Sequence, residues 1–171
     1  LIEAERPLSI EENWGRILSI KKNEFITLIG HDDVLHPDYL ADMDEMISQN
    51  PGAGLYQAHF NLIDSHGAVI RKCKAMPEWM SPEEFLAAIM TTRMDIMGTG
   101  FMMRAEDYDR VRGLPDYPNL LFADFEMIIN LVGEKGFCAS PKTLFSFRIH
   151  NSTTSISSDL KMQLGFERFV R

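Results

Sequence analysis

The stretch that decides the fold is FITLIGHDD at residues 25–33, which is followed at once by VLHPDYL at residues 34–40. An apolar run rich in β-branched side chains ends in a glycine and two adjacent carboxylates, and a proline then opens a helix-like pattern. In α/β proteins, ligands collect where parallel strands end at their carboxyl side, and two acids there suit a hard cation that carries a phosphate. The segment therefore predicts metal-assisted chemistry on a phosphorylated substrate.

Length, composition and charge narrow the class of protein. The chain has 171 residues, about one domain, with 45% hydrophobic and 25% charged residues, which is typical of a globular protein. The formal net charge of -8 argues against a nucleic-acid partner, because phosphate backbones bind basic surfaces. Cys73 and Cys138 lack metal-type spacing and favour a reducing compartment, and no apolar run reaches the roughly 20 residues of a membrane span. We expect a protein of the cytoplasm or of the inner membrane face, without a transmembrane segment.

The hydrophobic pattern predicts helices and strands that alternate along the chain, which favours one α/β domain. Helices are predicted at residues 9–20, where Ser9 and Glu12 form a capping box, and at residues 37–50, 81–89, 121–134 and 157–171. Strands are predicted at residues 25–29, 54–63, 68–70, 97–104 and 137–149, the last of them split by Pro141.

Two pairs of acidic residues are candidates for chemistry. Asp32 and Asp33 suit Mg²⁺ or Mn²⁺ that bridges to a diphosphate, although Asp33 also suits a turn or a helix N-cap. Asp124 or Glu126 suits a general base that takes a proton from an acceptor hydroxyl, although acids near a helix start often serve only the helix dipole. These two do not share a helix face.

A further group of candidates follows the later strands. Arg148 and His150 are two residues apart on a predicted strand, so their side chains point the same way and suit one anionic or metal-bound ligand. The alternative is a surface arginine and a loop histidine. Gly98, Thr99 and Gly100 suit a close approach of the backbone to a substrate, or a strand bulge.

These segments, in this order, resemble the family 2 glycosyltransferases of the GT-A fold. The matching stretches are residues 12–16 (ENWGR), 25–40, 98–104 (GTGFMMR), 123–127 (ADFEM), Gly136 and 148–152 (RIHNS). The resemblance implies a Rossmann-like α/β fold with a mixed, mainly parallel sheet flanked by helices. It also implies metal-dependent transfer of a sugar, with inversion, from a nucleotide-diphosphate-sugar donor to a saccharide, lipid-linked or other hydroxyl acceptor, as in polysaccharide biosynthesis.

The resemblance assigns roles to individual residues. Asp32 and Asp33 match the DXD-like motif that holds Mn²⁺ or Mg²⁺ and the donor diphosphate, His150 matches a histidine that reaches the metal or diphosphate, and Arg148 accompanies it. Asp124 matches the catalytic base. The expected acceptor-side residues are Gly98, Thr99, Gly100 and Glu126.

The chain departs from the family pattern in three ways. Gly30 and Ala123 stand where many relatives carry acids, and the N-terminal nucleotide-binding strands are not in this sequence. We therefore expect residues 1–171 to be the C-terminal two-thirds of one catalytic domain, inactive and poorly soluble or oligomeric alone, with strand 25–29 internal to the complete sheet. The alternatives are a nucleotide- or sugar-binding module without catalysis, a nucleotidyltransferase, and an HD-type phosphohydrolase using His31 and Asp32.

Overall fold

The structure, a computed structural model, describes residues 2–133, 135–149 and 159–170. The helices are α1 (Ile10–Gly15), α2 (Tyr39–Gln49), α3 (Pro82–Met90), α4 (Ala105–Arg110), α5 (Ala123–Val132) and α6 (Asp159–Phe169), with short 3-10 helices at Arg16–Ser19 and Pro118–Leu120. The strands are β1 (Phe25–Leu28), β2 (Val34–Leu35), β3 (Leu55–Ile63), β4 (Val69–Lys72), β5 (Trp79–Met80), β6 (Phe101–Arg104) and β7 (Phe137–Arg148). Within the described residues, no helix combines the length and the apolarity that a bilayer crossing requires.

The strands form one mixed sheet in the order β1-β6-β3-β7-β2, with β4 also paired to β3 and β5 to β7. Among the described strands, β3 and β7 form the one parallel pair, and the other five pairings are antiparallel. The α/β class and the mixed sheet with flanking helices are thus confirmed, but the prediction of a mainly parallel sheet is wrong. Short connections such as the turn between β3 and β4 force antiparallel neighbours, whereas β7 returns to β3 after a long helical crossover.

Helix starts follow from local sequence. Ser9 accepts a hydrogen bond from the backbone N–H of Glu12, and the Glu12 carboxylate accepts one from the Ser9 N–H, so the predicted capping box is confirmed. Ser81 and Glu84 form the same motif at α3. These reciprocal bonds satisfy N–H groups that have no partner within the helix.

Strand β7 is continuous, and Pro141 lies where its register with β3 shifts. A proline has no N–H to donate, so it is tolerated at a bulge. His59 of β3 stabilises this bulge: its Nε2 accepts from the Met76 N–H at 2.9 Å, so its Nδ1 carries the proton and donates to the Ser140 carbonyl at 2.6 Å. His59 is therefore a structural residue.

Helices cover both faces of the sheet. On one face, α2 buries Tyr39 and Met43 against β3 and β7. On the other face, α3 and α5 pack over the larger part of the core, which includes Leu28, Leu55, Phe85, Phe101, Met103, Met127, Leu131 and Phe137. Gly54 permits the close approach of β3 to α5, because a Cβ there would lie 1.9 Å from the Leu131 carbonyl oxygen.

The sheet curls, because residues 29–33 alone connect β1 and β2, which lie at opposite ends of the strand order. Gly100, directly before β6, touches Phe145 of β7 so closely that a Cβ would lie 2.2 Å from the ring, and its φ of +82° also favours glycine. The curl thereby brings the ends of β1, β6 and β7 together. Strand β1 pairs only with β6 among the described strands. The expectation that β1 is internal to a complete sheet, with a second neighbouring strand, stays a prediction.

Helix α4 is held by a buried carboxylate. Asp107 is 3% exposed and accepts from Lys135 Nζ at 2.6 and 2.7 Å and from the Arg110 guanidinium at 3.1 Å. Burial raises the pKa of the Asp107 carboxyl, but the Lys135 and Arg110 charges outweigh burial and leave this pKa below its ordinary value. The ionised form therefore stabilises the fold.

We expect Asp107→Asn to lower the free energy of unfolding by about 2 kcal/mol at pH 7, because it removes charge-assisted hydrogen bonds from a buried group. A lowered pKa in the folded state gives stability that is present above the unfolded-state pKa and is lost as acid protonates the folded carboxylate. The difference between wild type and variant should therefore shrink below about pH 4 in urea unfolding. Glu106→Gln, on the same helix but exposed, is the control, and equal midpoints for both variants would contradict the assignment.

Candidate functional site

The acidic loop, residues 29–33, follows the carboxyl end of β1. Because β1 and β6 are antiparallel, with Leu28 opposite Phe101, the end of β1 lies beside the start of β6. The Gly100 N–H donates to the Leu28 carbonyl at 2.8 Å. The antiparallel pair thus places the segment 98–100 next to the acidic loop, although the sequence argument assumed parallel strand ends.

Asp33 joins three segments of the chain. Its Oδ2 accepts from the Gly30 N–H at 3.2 Å and from the Thr99 hydroxyl at 2.7 Å, and its Oδ1 accepts from the Arg148 N–H at 3.0 Å. We call these four residues the Asp33 cluster. A Cβ on Gly30 would lie 2.7 Å from Asp33 Oδ2, which gives a local reason for glycine at this position.

The Arg148 side chain supports the same loop. Its Nε donates to the Asp32 carbonyl at 2.9 Å, and its Nη1 donates to the Asp64 carbonyl at 2.7 Å. The guanidinium thus holds backbone carbonyls near the acidic loop. Contact between Arg148 and a diphosphate stays a prediction. The predicted contact of His150 with the metal or diphosphate also stays one, since His150 lies outside the described residues.

A cavity of about 640 Å³, the acidic cavity, lies over this loop. Its lining includes Asp32, Asp33, Thr99 and Arg148, and residues of α1 and of the segment after it also line it. The Asp32 side chain is 25% exposed, with Oδ1 at 3.7 Å from His31 Nδ1. Three of the residues predicted to bind metal or donor, Asp32, Asp33 and Arg148, therefore lie together at one cavity, with the predicted acceptor-side residue Thr99.

The carboxylates fit a hard divalent cation that arrives with its ligand. The described residues hold no group of three histidine, cysteine or acidic side chains that could coordinate a metal by themselves. Asp32 faces the acidic cavity, and the oxygens of Asp33 already accept three protein hydrogen bonds. Mg²⁺ is usually held by one or two carboxylates together with substrate phosphates, which matches this donor set.

Asp124 lies in the first turn of α5 and faces Gly98. A Cβ on Gly98 would lie 2.8 Å from Asp124 Oδ2, and Oδ1 accepts from the Phe125 N–H at 3.0 Å. Burial raises the pKa of the Asp124 carboxyl and outweighs the backbone hydrogen bonds that lower it. A carboxylate with a raised pKa in a cavity is a candidate proton acceptor.

A second cavity, of about 410 Å³, contains Asp124 and is called here the Asp124 cavity. It shares Ile10, Trp14, Thr99 and Phe147 with the acidic cavity, so the two adjoin. Gly98 and Thr99 are consecutive, and the first touches Asp124 while the second binds Asp33. The structure thus brings together Asp32, Asp33, Asp124, Arg148 and the segment 98–100.

Glu126 lies elsewhere. Its carboxylate accepts a hydrogen bond from the Tyr117 hydroxyl, and the Arg168 guanidinium lies 4.4 Å above the Tyr117 ring. Burial, with the adjacent Glu126 charge, raises the pKa of Tyr117 to about 12. Glu126 does not line the Asp124 cavity among its described residues, so its predicted acceptor-side role has no geometric support here.

Sequence reasoning missed the wall that Trp14 and the segment 119–122 provide. Trp14 could have been noticed in the sequence, since it is an aromatic residue within residues 12–16. Residues 119–122 have no comparable sequence pattern, because Asn119, Leu120 and Phe122 adopt positive φ values of 55°, 56° and 69° that tertiary packing imposes.

We expect Asp33→Asn to lower the free energy of unfolding by about 2 kcal/mol, because an amide cannot accept all three hydrogen bonds and places a donor against a donor. Thr99→Val, which removes one of them, should cost about 1 kcal/mol. Asp38→Asn, between β2 and α2 and with a side chain that is 76% exposed, is the control for urea unfolding. Loss of stability in Asp38→Asn equal to that in Asp33→Asn would show that the Asp33 cluster is not structural.

No protein-family model matches this chain, and no curated protein matches it either. A functional assignment for the two cavities therefore depends on their geometry and on the chemistry of the side chains that line them.

Proposed function

We propose that this chain carries the donor-diphosphate site and the catalytic base of a metal-dependent, inverting glycosyltransferase of the GT-A type, acting in the cytoplasm or at its membrane face. A nucleotide-diphosphate sugar would occupy the acidic cavity, and an acceptor hydroxyl would enter the Asp124 cavity. One observation carries the proposal: consecutive residues, Gly98 and Thr99, connect Asp124 to Asp33 across adjoining cavities. Donor and acceptor can therefore meet at the shared wall.

Asp124 takes the proton from the acceptor hydroxyl in this proposal. The acceptor oxygen forms a bond to the anomeric carbon, while the bond from that carbon to the diphosphate oxygen breaks and its electron pair leaves with the diphosphate. The raised pKa makes Asp124 a stronger base than an ordinary aspartate, which brings it closer to the pKa that suits a general base near neutral pH.

Asp32 would hold Mn²⁺ or Mg²⁺ together with the donor phosphates, with Asp33 beside it and His150 as a further proposed ligand. When bound, the metal supplies positive charge to the departing diphosphate. Asp33 and Arg148 keep the acidic loop in place through the hydrogen bonds described above. This preorganisation limits the reorganisation needed when the donor binds.

A second candidate is a nucleotide- or sugar-binding module without catalysis. It is favoured by Asp33, whose oxygens are already engaged by protein donors, and by Gly30, which brings no carboxylate to the loop. Binding of metal and diphosphate without turnover in the full-length protein would select this alternative. A nucleotidyltransferase would instead release a nucleotidyl product, which product analysis distinguishes from a transferred sugar.

Asp32→Asn in the full-length protein should weaken Mn²⁺-dependent binding of a nucleoside diphosphate by at least about tenfold, because it removes a metal-binding carboxylate. Titration calorimetry with Mn²⁺ and each common nucleoside diphosphate measures this affinity, with Asp38→Asn as the control. Mn²⁺ alone should bind far more weakly than Mn²⁺ with the diphosphate, because the described residues supply too few ligands. Unchanged metal-dependent affinity in Asp32→Asn would contradict the donor site.

Asp124→Asn should lower turnover by about 10²–10⁴-fold, the usual contribution of a general base, with donor affinity nearly unchanged. The same variant should be more stable than wild type at pH 7. Because the folded-state pKa is raised, the folded protein binds more protons, and its stability falls as pH rises from the ordinary aspartate pKa to the raised one.

The loss of stability that accompanies ionisation of Asp124 is absent in Asp124→Asn. The difference in free energy of unfolding between the two proteins should therefore vanish near pH 3, as measured by urea unfolding at a series of pH values. Near-normal turnover in Asp124→Asn would remove the base assignment. A variant less stable than wild type at pH 7 would show instead that Asp124 serves the helix dipole of α5.

A further inference from the structure

The described wall of the Asp124 cavity is mainly hydrocarbon. Aromatic and aliphatic side chains line it, among them Trp14, Leu114, Leu121 and Phe147. The polar groups at this wall are few, and two of them already have partners: the Thr99 hydroxyl donates to Asp33, and the Asn119 N–H donates to Glu11 at 2.8 Å. Asp124 is the ionisable side chain among these lining residues.

A wall of this kind discriminates between acceptors. A sugar with several hydroxyl groups loses hydration on entry and needs a hydrogen-bond partner for each group, since an unpaired buried hydroxyl costs about 1–3 kcal/mol. An apolar body instead gains about 25 cal/mol for each Å² that it buries. The geometry therefore favours a ligand with one hydroxyl directed at Asp124 and hydrocarbon elsewhere.

The backbone of the segment 119–122 provides an independent observation. Leu120 and Phe122 have positive φ values, which cost a bulky residue roughly 1–2 kcal/mol each. The segment is held between α1, through the Asn119–Glu11 hydrogen bond, and α6, where Gly165 lies against Phe122. Asparagine would relieve the strain at residue 120, yet a leucine is found there, lining the cavity.

Resting on the proposed function, we infer that the Asp124 cavity takes an acceptor whose reactive hydroxyl is carried on an apolar, hydrocarbon body, and that Leu120 contributes to this specificity. The hydroxyl lies at Asp124, and the hydrocarbon body packs between Trp14 and the segment 119–122. A multiply hydroxylated sugar is excluded as the group next to the reacting oxygen.

Trp14 offers a direct readout, because the chain has two tryptophans and the other, Trp79, lies on β5 and is 47% exposed. Trp79→Phe in the full-length protein leaves Trp14 as the one tryptophan of residues 1–171, and any tryptophan elsewhere in the protein is replaced likewise. The probes are 1-hexanol, 2-phenylethanol and methyl glucoside. We expect a saturable change in Trp14 fluorescence with both alcohols and none with methyl glucoside at the same concentrations.

Leu120→Asn in the Trp79→Phe background is the decisive variant. Asparagine tolerates the left-handed backbone better than leucine, so the variant should retain or gain stability while its polar side chain weakens alcohol binding by at least about fivefold. Leu86→Asn, an exposed leucine on α3, is the control for substitution itself and should leave alcohol binding unchanged.

Three outcomes would each overturn the inference. Methyl glucoside could bind as tightly as the alcohols, neither alcohol could give a saturable change in fluorescence, or Leu120→Asn could leave the alcohol affinity unchanged. The readout needs neither metal nor donor. Its failure therefore leaves the metal–diphosphate test standing, whereas alcohol binding without donor binding would show an apolar ligand site on a protein that transfers no sugar.

Discussion

The carboxylate of Asp33 is the point at which the ends of three strands are held together. The β1–β6 ladder ends at Leu28 and Phe101, and β7 is paired with neither strand, so ladder hydrogen bonds do not connect the three strands beyond this edge. Asp33 replaces those bonds by accepting from Gly30, Thr99 and Arg148. Charge-assisted hydrogen bonds of this kind are among the stronger ones available to a protein. Both cavities depend on this arrangement, because Thr99 forms part of the wall between them.

The two adjacent acids of this loop, Asp32 and Asp33, make different contacts. Both acids line the acidic cavity; Asp33 accepts hydrogen bonds from the protein there, and the Asp32 backbone carbonyl is fixed by Arg148. A carboxylate that already accepts three protein hydrogen bonds is a poor sole ligand for a cation, so a cation bound here as proposed would need the phosphates of a ligand to complete its coordination. Under the proposed function, metal affinity would therefore depend on the presence of a diphosphate.

The sequence alone predicted the α/β class, the acidic loop after β1 and the capping box at Ser9, because these depend on local pattern and local hydrogen bonds. Strand direction was predicted wrongly, since it depends on how each connection returns to the sheet. Strands β2 and β5, with two residues each, are too short for a periodic signal. The positive φ at Leu120 and the contact between Glu126 and Tyr117 arise only from tertiary packing.

Helix α1 has no fully buried residue, although Ile10 and Trp14 belong to the walls of both cavities. An element with so little buried surface can shift or open locally at small cost in free energy. A ligand that packs against Trp14 in one cavity would restrain the helix, which also lines the other cavity. Thermodynamic linkage would make this effect reciprocal, so each ligand would raise the affinity for the other by the same factor. If both cavities take ligands as proposed, we expect the two binding events to be cooperative, with helix α1 as the element that couples the cavities.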